Sequence, residues 1–225
     1  MPRSTRVDVG GEIYHVSNRA NGRLKIFNTD GDYKLFEQLL LETKELIDMR
    51  ILAYEIMPNH WHLVLHPKRD GDLGAFMHRL TNAHTRNVHA HTGTNGSGHL
   101  YQGRYKSFLV DSENYLLSVI KYVERNAVRA KLVCSCEDWR WGSAWLRVFG
   151  TAVQKKLIDP VSVTLPADYI RWINTQEKQS ELDTVRNSVI KSVPYGKESW
   201  VEKMVSKHKL ESTLKSPGRP RKSTL

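Results

Sequence analysis

Hydrophobic and polar residues follow two different periods along the first part of the chain. Alternating patterns predict four strands, at about residues 12–18, 51–57, 61–66 and 105–110. Apolar residues spaced three or four apart predict helices at about residues 30–49, 72–91 and 112–128. The order is strand, helix, strand, strand, helix, strand, helix. Its first six elements match a ferredoxin-like sheet, whose open face is a common platform for nucleic acids.

We therefore predict an α+β fold in which a ferredoxin-like antiparallel sheet carries its helices on one face. The same patterns assign several side chains to the core or to the surface. Trp139, Trp141 and Trp145 are expected to close the core, while Arg79, His84 and Arg86 are expected to face solvent or a ligand. In the first helix the expected inner face consists of Leu35, Phe36, Leu39, Leu40, Leu46 and Ile47.

The balance of charge narrows the class of partner. The chain has 34 Lys and Arg against 24 Asp and Glu, a net charge of +10, which favours a polyanion such as nucleic acid. From residue 186 onward, ten basic and three acidic residues give +7, so the basic character is concentrated in a C-terminal extension. The sequence has neither the roughly 20 apolar residues of a membrane span nor a secretory signal, so we expect a cytoplasmic protein without a membrane partner.

The first candidate site lies in the segment 57–64, which reads M-P-N-H-W-H-L-V. His60 and His62 are two residues apart in a predicted strand, so their imidazoles point to the same side of the sheet. Trp61 and Leu63 point to the other side. Two imidazole nitrogens that converge in this way form half of a metal site.

A second candidate lies in the last predicted helix, where Tyr122 and Asn126 are four residues apart and share one face. A tyrosine can act as a nucleophile that forms a covalent intermediate. An amide oxygen can complete the coordination of a divalent ion. Combined with the two histidines, it gives a mixed nitrogen and oxygen set that suits Mg²⁺ or Mn²⁺ when phosphate supplies further oxygens.

Four segments, taken in order, resemble the motifs of the HUH single-tyrosine transposases. Residues 56–64, I-M-P-N-H-W-H-L-V, resemble the histidine-hydrophobic-histidine motif of that family. Further matches are 100–107 (L-Y-Q-G-R-Y-K-S), 115–117 (Y-L-L) and 122–130 (Y-V-E-R-N-A-V-R-A). Within the family the chain is most similar to the REP-associated tyrosine transposases, solitary bacterial proteins linked to short palindromic repeats. Ordered motifs of this kind are far more specific than a single H-x-H.

The resemblance, which covers roughly residues 10–150, implies a role for each matching residue. His60 and His62 would bind the divalent metal, Asn126 would be its third protein ligand, and Tyr122 would be the nucleophile. Tyr115 is the rival nucleophile, because it lies seven residues, about two helical turns, before Tyr122.

One position departs from the family pattern. Ala127 stands where the family usually has the proline of Asn-Pro-Val-Arg-Ala. Alanine removes a bend-inducing residue and restores a backbone N–H. We therefore expect the helix to continue further than in the family and Asn126 to be tilted differently.

The resemblance also implies an activity, which is metal-dependent cleavage and transfer of single-stranded DNA at palindromic repeat hairpins through a 5′-phosphotyrosine intermediate. Residues 1–150 would form the catalytic domain, and residues 151–225 an extension with a basic DNA-binding tail. The protein would be bacterial and nucleoid-associated, as a monomer or a homodimer. Two alternatives stay open: a catalytically silent protein that only binds nucleic-acid hairpins, and a hydrolytic metallonuclease that activates water at the same histidines.

Basic residues near the candidate site are expected to contact DNA phosphates, namely Arg19, Arg23, Arg104 and Lys106. In the tail, residues 218–220 (G-R-P) resemble the core of an AT-hook, so Arg219 and Arg221 are the expected contacts to a narrow minor groove. The alternative is a basic terminus that adds only non-specific affinity.

Overall fold

A four-stranded antiparallel sheet forms the centre of the protein. The computed structural model describes residues 6–94, 96, 98–112 and 114–214. Neighbouring strands in the sheet follow the order β2, β3, β1, β4, and every pair is antiparallel. This is the predicted ferredoxin-like arrangement, so the fold class is confirmed. The strands are β1 (Ile13–Arg19), β2 (Arg50–Met57), β3 (His60–His66) and β4 (Lys106–Val110).

Nine α-helices are present in the described part of the chain, and short 3₁₀ turns occur at Asn21–Arg23, Cys136–Asp138 and Gln154–Leu157. Within the described residues, no helix combines the length and the apolar composition that crossing a bilayer requires. The helices are α1 (Asp30–Ile47), α2 (Asp72–Thr92), α3 (Asn114–Glu124), α4 (Asn126–Arg129), α5 (Ser143–Phe149), α6 (Tyr169–Asn174), α7 (Gln179–Lys191), α8 (Glu198–His208) and α9 (Glu211–Leu214).

Helix α1 begins where the sequence predicts, because Thr29 and Asp32 form a reciprocal capping box. It ends at Ile47, and the next residue, Asp48, caps the helix with a left-handed backbone conformation. The predicted inner face is right except at Leu46, which is 62% exposed. Leu46 lies seven residues, about two turns, after Leu39, so it is at the edge of the buried stripe and close to the end of the helix. That stripe consists of Tyr33, Phe36, Leu39, Leu40 and Thr43.

The expectation that His84 faces solvent or a ligand is wrong, because only 1% of this residue is exposed. It lies four residues after Leu80 and seven after Met77, so it continues the buried stripe of α2. Its Nδ1 atom lies 2.7 Å from the hydroxyl of Tyr101, and that hydroxyl accepts a hydrogen bond from Nε1 of Trp61. His84 therefore belongs to a buried polar network beneath the sheet.

The two faces of the sheet are covered differently. The ferredoxin-like unit has both of its helices, α1 and α2, on one face, as predicted, where they bury Trp61 and Leu63. The other face is only partly open, because α3 packs there against β2, β3 and β4. An apolar cluster that includes Leu52, Val64 and Phe108 lies beneath α3.

Residues 151–214 share cores with the rest of the chain. Helix α7 packs against α3 and β4, and Tyr195 forms backbone hydrogen bonds to Leu109 and Asp111 at 2.8 Å. Met204 of α8 is buried in the same cluster as Trp141, and Trp200 packs against it. Trp139 and Trp145 also pack against this cluster, so these two residues and Trp141 close the core as predicted. The division into a domain of residues 1–150 and an extension of 151–225 stays a prediction. Arg219 and Arg221 lie outside the described residues.

Candidate active site

His60 and His62 lie on the same side of β3, with ring centroids 5.2 Å apart. The residues between and after them, Trp61 and Leu63, are fully buried on the opposite side. This alternation follows from the two-residue period of a strand. The sheet therefore presents both imidazoles to the face that carries α3.

A side-chain partner fixes the orientation of each imidazole. Nδ1 of His60 lies 2.7 Å from Oδ1 of Asn59, and Nδ1 of His62 lies 2.8 Å from Nε2 of His15. A neutral imidazole that donates its proton from Nδ1 keeps a lone pair on Nε2. Burial lowers the pKa of His60 to about 4 and the pKa of His62 well below its usual range. Both rings are neutral near pH 7, as metal binding requires.

Tyr122 of α3 stands beside these histidines. Its ring centroid is 5.9 Å from that of His62 and 6.0 Å from that of His15, and 8% of the residue is exposed. Burial raises the pKa of the phenol, while the positive charge of Arg129 opposes that shift. The guanidinium carbon of Arg129 lies 4.5 Å from the centroid of the Tyr122 ring. An ion pair holds the guanidinium there, with 2.6 Å between Nη1 of Arg129 and Oε1 of Glu177.

The helix is interrupted at Arg125, between Tyr122 and Asn126. Helix α3 ends at Glu124, Arg125 has φ −99° and ψ 5°, and α4 begins at Asn126. The expectation of a helix that continues unbroken past Ala127 is therefore wrong. Nδ2 of Asn126 donates to the carbonyls of Tyr122 at 3.3 Å and of Val123 at 3.0 Å. This leaves the amide oxygen of Asn126 as the atom available for an ion.

Tyr115 lies elsewhere. Its ring packs 5.3 Å from that of Tyr195, beside the apolar cluster under α3. The cleft that contains His60 and His62 is lined by Tyr122 and not by Tyr115. Of the two candidate nucleophiles, Tyr122 alone faces the imidazoles.

The cleft at these residues has a volume of about 500 Å³ and a basic rim. Arg19, Arg104 and Lys106, which were expected to contact DNA, line it. Arg23 lies in the 3₁₀ turn between β1 and α1 and does not line the cleft. The remaining wall comes from Ser17, Asn18, Gln102, Gly103, Asn126, Arg186, Val189 and Ile190.

Sequence patterns missed three side chains of this site, which are His15, Arg129 and Arg186. His15 lies in the predicted first strand on the same face as Ser17, but only the strand register of the fold, in which Ser17 pairs with His62, brings it to the site. Arg129 follows Tyr122 by seven residues, the spacing of about two helical turns. No signal in the sequence places Arg186 here, because α7 reaches the cleft only through the tertiary fold.

The donor atoms fit a divalent ion that is completed by phosphate. In the part of the chain that is described, no three His, Cys, Asp or Glu side chains are grouped around one position. The cleft offers two imidazoles and one amide, from His60, His62 and Asn126. Mg²⁺ and Mn²⁺ accept such partial sets when substrate phosphates supply further oxygens.

Comparisons with known proteins identify similar molecules. The family model described as "Transposase IS200 like" matches residues 9–126, a span that contains the histidine pair, Tyr122 and Asn126. Proteins with curated descriptions give no match. A solved structure of a REP-associated tyrosine transposase bound to a REP hairpin is 16% identical, covers 64% of this chain and 82% of its own, and has a TM-score of 0.53. At this identity the likeness shows the fold alone.

A second solved structure, of a candidate transposase from Deinococcus radiodurans R1, is 20% identical and covers 55% of this chain and 97% of its own. Its TM-score of 0.39 is too low to support an argument.

Proposed function

The chain belongs to the IS200-like transposase family, and we propose that within it this protein is a REP-associated tyrosine transposase. It cleaves single-stranded DNA at palindromic repeat hairpins and transfers the ends through a 5′-phosphotyrosine. The observation that carries the proposal is the position of Tyr122 in a basic cleft, where its ring centroid lies 5.9 Å from that of His62. A nucleophile, candidate metal ligands and phosphate-binding side chains share one site.

The reaction is a transesterification at phosphorus. The Tyr122 oxygen attacks in line and forms a phosphorus–oxygen bond, the bond to the 3′ oxygen breaks, and that oxygen takes up a proton. The protein is then joined to the 5′ phosphate. The new ester keeps the energy of the phosphodiester, so attack by a 3′ hydroxyl reverses the step and joins ends.

Each side chain of the cleft has a task in this reaction. His60, His62 and Asn126 would hold Mg²⁺ or Mn²⁺, which supplies Lewis-acid stabilisation of charge on the scissile phosphate and leaving oxygen. The cation of Arg129 favours the phenolate of Tyr122. Arg19, Arg104 and Lys106 neutralise DNA phosphates along the cleft.

The proposed partner is a DNA hairpin. The solved structure that shares this fold has a REP hairpin bound. The basic rim of the present cleft suits the same class of ligand. Because Tyr122 and the histidine pair meet within one chain, a monomer is sufficient for the chemistry. Nucleoid association follows from such a partner, and the tail with Arg219 and Arg221 is predicted to add affinity.

A denaturing gel tests the proposal. Wild-type protein incubated with Mg²⁺ or Mn²⁺ and a hairpin labelled on the 5′-phosphate side of the cut should form a covalent adduct. The Tyr122→Phe variant should form none, and Tyr115→Phe should retain the adduct. Free products without an adduct would indicate a hydrolytic nuclease instead. Binding without cleavage would indicate a catalytically silent hairpin-binding protein.

A further inference from the structure

The carboxyl group of Glu55 lies buried in the sheet next to the candidate active site. Glu55 is on β2, has no exposed surface, and pairs with His62 across the β2–β3 ladder. Its Oε1 atom accepts a hydrogen bond from the backbone N–H of Ala127 at 3.1 Å. Burying an acidic side chain away from solvent costs free energy. The hydrogen bond to the start of α4, 72 residues away in the sequence, indicates what this buried carboxyl does.

The backbone around Ala127 shows what this hydrogen bond replaces. In an unbroken α-helix, the N–H of Ala127 would donate to the carbonyl of Val123, four residues earlier. Here that N–H donates to Glu55, and the Val123 carbonyl accepts Nδ2 of Asn126 instead, at 3.0 Å. The same Nδ2 also reaches the carbonyl of Tyr122 at 3.3 Å. Three side chains, those of Glu55, Asn126 and Arg129, have therefore taken over the hydrogen bonds of the interrupted turn, since the Arg129 guanidinium also donates to the Tyr122 carbonyl.

The space for the Glu55 carboxyl is set by Gly142. A Cβ atom built at position 142 would lie 2.1 Å from Oε2 of Glu55, so any other residue would displace the carboxyl. Gly142 and Glu55 also face each other in an isolated antiparallel bridge. The carboxyl is thus confined between the chain at 142 and the start of α4.

We propose that Glu55 is a positioning residue that holds the helix open between Tyr122 and Asn126. The open turn directs Nδ2 of Asn126 towards the helix carbonyls and leaves its amide oxygen facing the cleft beside His60 and His62. With no acceptor at position 55, the N–H of Ala127 recovers the Val123 carbonyl, the turn closes, and Asn126 leaves that orientation. This inference rests on the proposed function, since it assigns a task to Asn126 there.

Three variants separate this role from a general contribution to stability. Glu55→Met removes the acceptor at similar length and should slow adduct formation about 10- to 100-fold at saturating hairpin DNA, as a misplaced active-site group does. The dissociation constant for DNA should change little. Glu55→Gln keeps an oxygen that accepts the Ala127 N–H and should stay within about threefold of wild type. Adding Ala127→Pro to Glu55→Met removes the N–H that would otherwise close the turn and should recover most of the rate.

Hydrogen exchange gives a readout that does not depend on activity. In ¹⁵N-labelled protein, the Ala127 amide should be protected in wild type and in Glu55→Gln, and its chemical shift should move in Glu55→Met. Adduct formation at wild-type rate by a folded Glu55→Met protein would overturn the proposal. The proposal would also be overturned if Glu55→Gln and Glu55→Met slowed adduct formation equally, or if adding Ala127→Pro to Glu55→Met recovered none of the rate. A wild-type protein that forms no adduct would instead refute the proposed function, and the amide signal would still decide whether Glu55 holds the turn open.

Discussion

Nε2 of His15 and Nδ1 of His62 lie 2.8 Å apart, in a contact between two buried rings on adjacent strands. Burial lowers the pKa of His15 to about 3, so this ring is neutral near pH 7 and can accept the Nδ1 proton of His62. Such a hydrogen bond leaves the lone pair of His62 on Nε2, the atom that would meet an ion. A partner of this kind usually sets the tautomer and the orientation of a metal-binding imidazole.

Replacing His15 should therefore weaken metal binding more than it disturbs the fold. The His15 ring stacks on Phe108, with their centroids 4.7 Å apart. His15→Phe preserves this stacking but removes the nitrogen that accepts the His62 proton. We expect Mn²⁺ affinity, measured by calorimetry without DNA, to fall about 10- to 100-fold. His15→Gln retains an acceptor oxygen, so its Mn²⁺ affinity should fall less than that of His15→Phe. Equal Mn²⁺ affinity in the Phe variant and the wild type would show that His15 does not orient His62.

The strands and the histidine pair could be predicted because both depend on local periodicity. Alternation alone places β3 and puts His60 and His62 on one side of it. The motif resemblance and a four-residue spacing then place Tyr122 and Asn126 together. These features are encoded within a few residues of one another, so no knowledge of the tertiary fold is required.

Long-range features of the site could not be predicted in this way. The helix interruption depends on Glu55, 72 residues from Ala127, and a sequence pattern carries no information on that contact. The error at His84 has a similar origin, since its partner Tyr101 comes from a separate loop. Burial of a polar residue is favourable only when the fold supplies its hydrogen-bond partner.

The charge of Arg129 should set the pH dependence of adduct formation. Burial raises the pKa of Tyr122 and Arg129 lowers it, so removing the cation in Arg129→Gln raises that pKa further. The phenolate fraction at a given pH then falls, by about tenfold for each unit of pKa increase. The rate profile measured between neutral and alkaline pH should shift towards higher pH.

Glu177→Gln is the matched control for Arg129. It weakens the ion pair at 2.6 Å but leaves the guanidinium charge in the protein. Because the negative charge of Glu177 raises the pKa of Tyr122, its removal should move the rate profile towards lower pH, opposite to the shift in Arg129→Gln. An identical shift in both variants would mean that the position of Arg129, and not its charge, controls the phenol.

Acid should destabilise the protein partly through His84. Burial lowers its pKa from 6.5 to about 3, so between these values the unfolded chain takes up a proton that the folded chain does not. The free energy of unfolding therefore falls as pH decreases through this window. At pH 5 the contribution of His84 to this loss is about 2 kcal/mol.

The neutral variant His84→Gln isolates that contribution. Its amide oxygen can still accept the Tyr101 hydroxyl, and it has no proton to gain. Urea unfolding at pH 7.5 and pH 5 should show that wild type loses about 2 kcal/mol more than the variant. Parallel pH profiles would contradict the assignment of a neutral, buried His84.

Arg186 extends the proposed DNA contacts to α7, beyond the segment that the family model matches. It lines the cleft, and its partner Asp183 is 3.6 Å away, so its charge is available to a phosphate at little cost. Arg186→Gln should weaken hairpin binding and reduce the slope of log K against log salt by about one. Arg171→Gln removes the same charge from α6, at a residue that also has an acidic partner three positions away but does not line the cleft. If the salt slope changes equally in both variants, Arg186 acts only through the net charge of the protein. A change confined to Arg186→Gln would place α7 in the DNA interface.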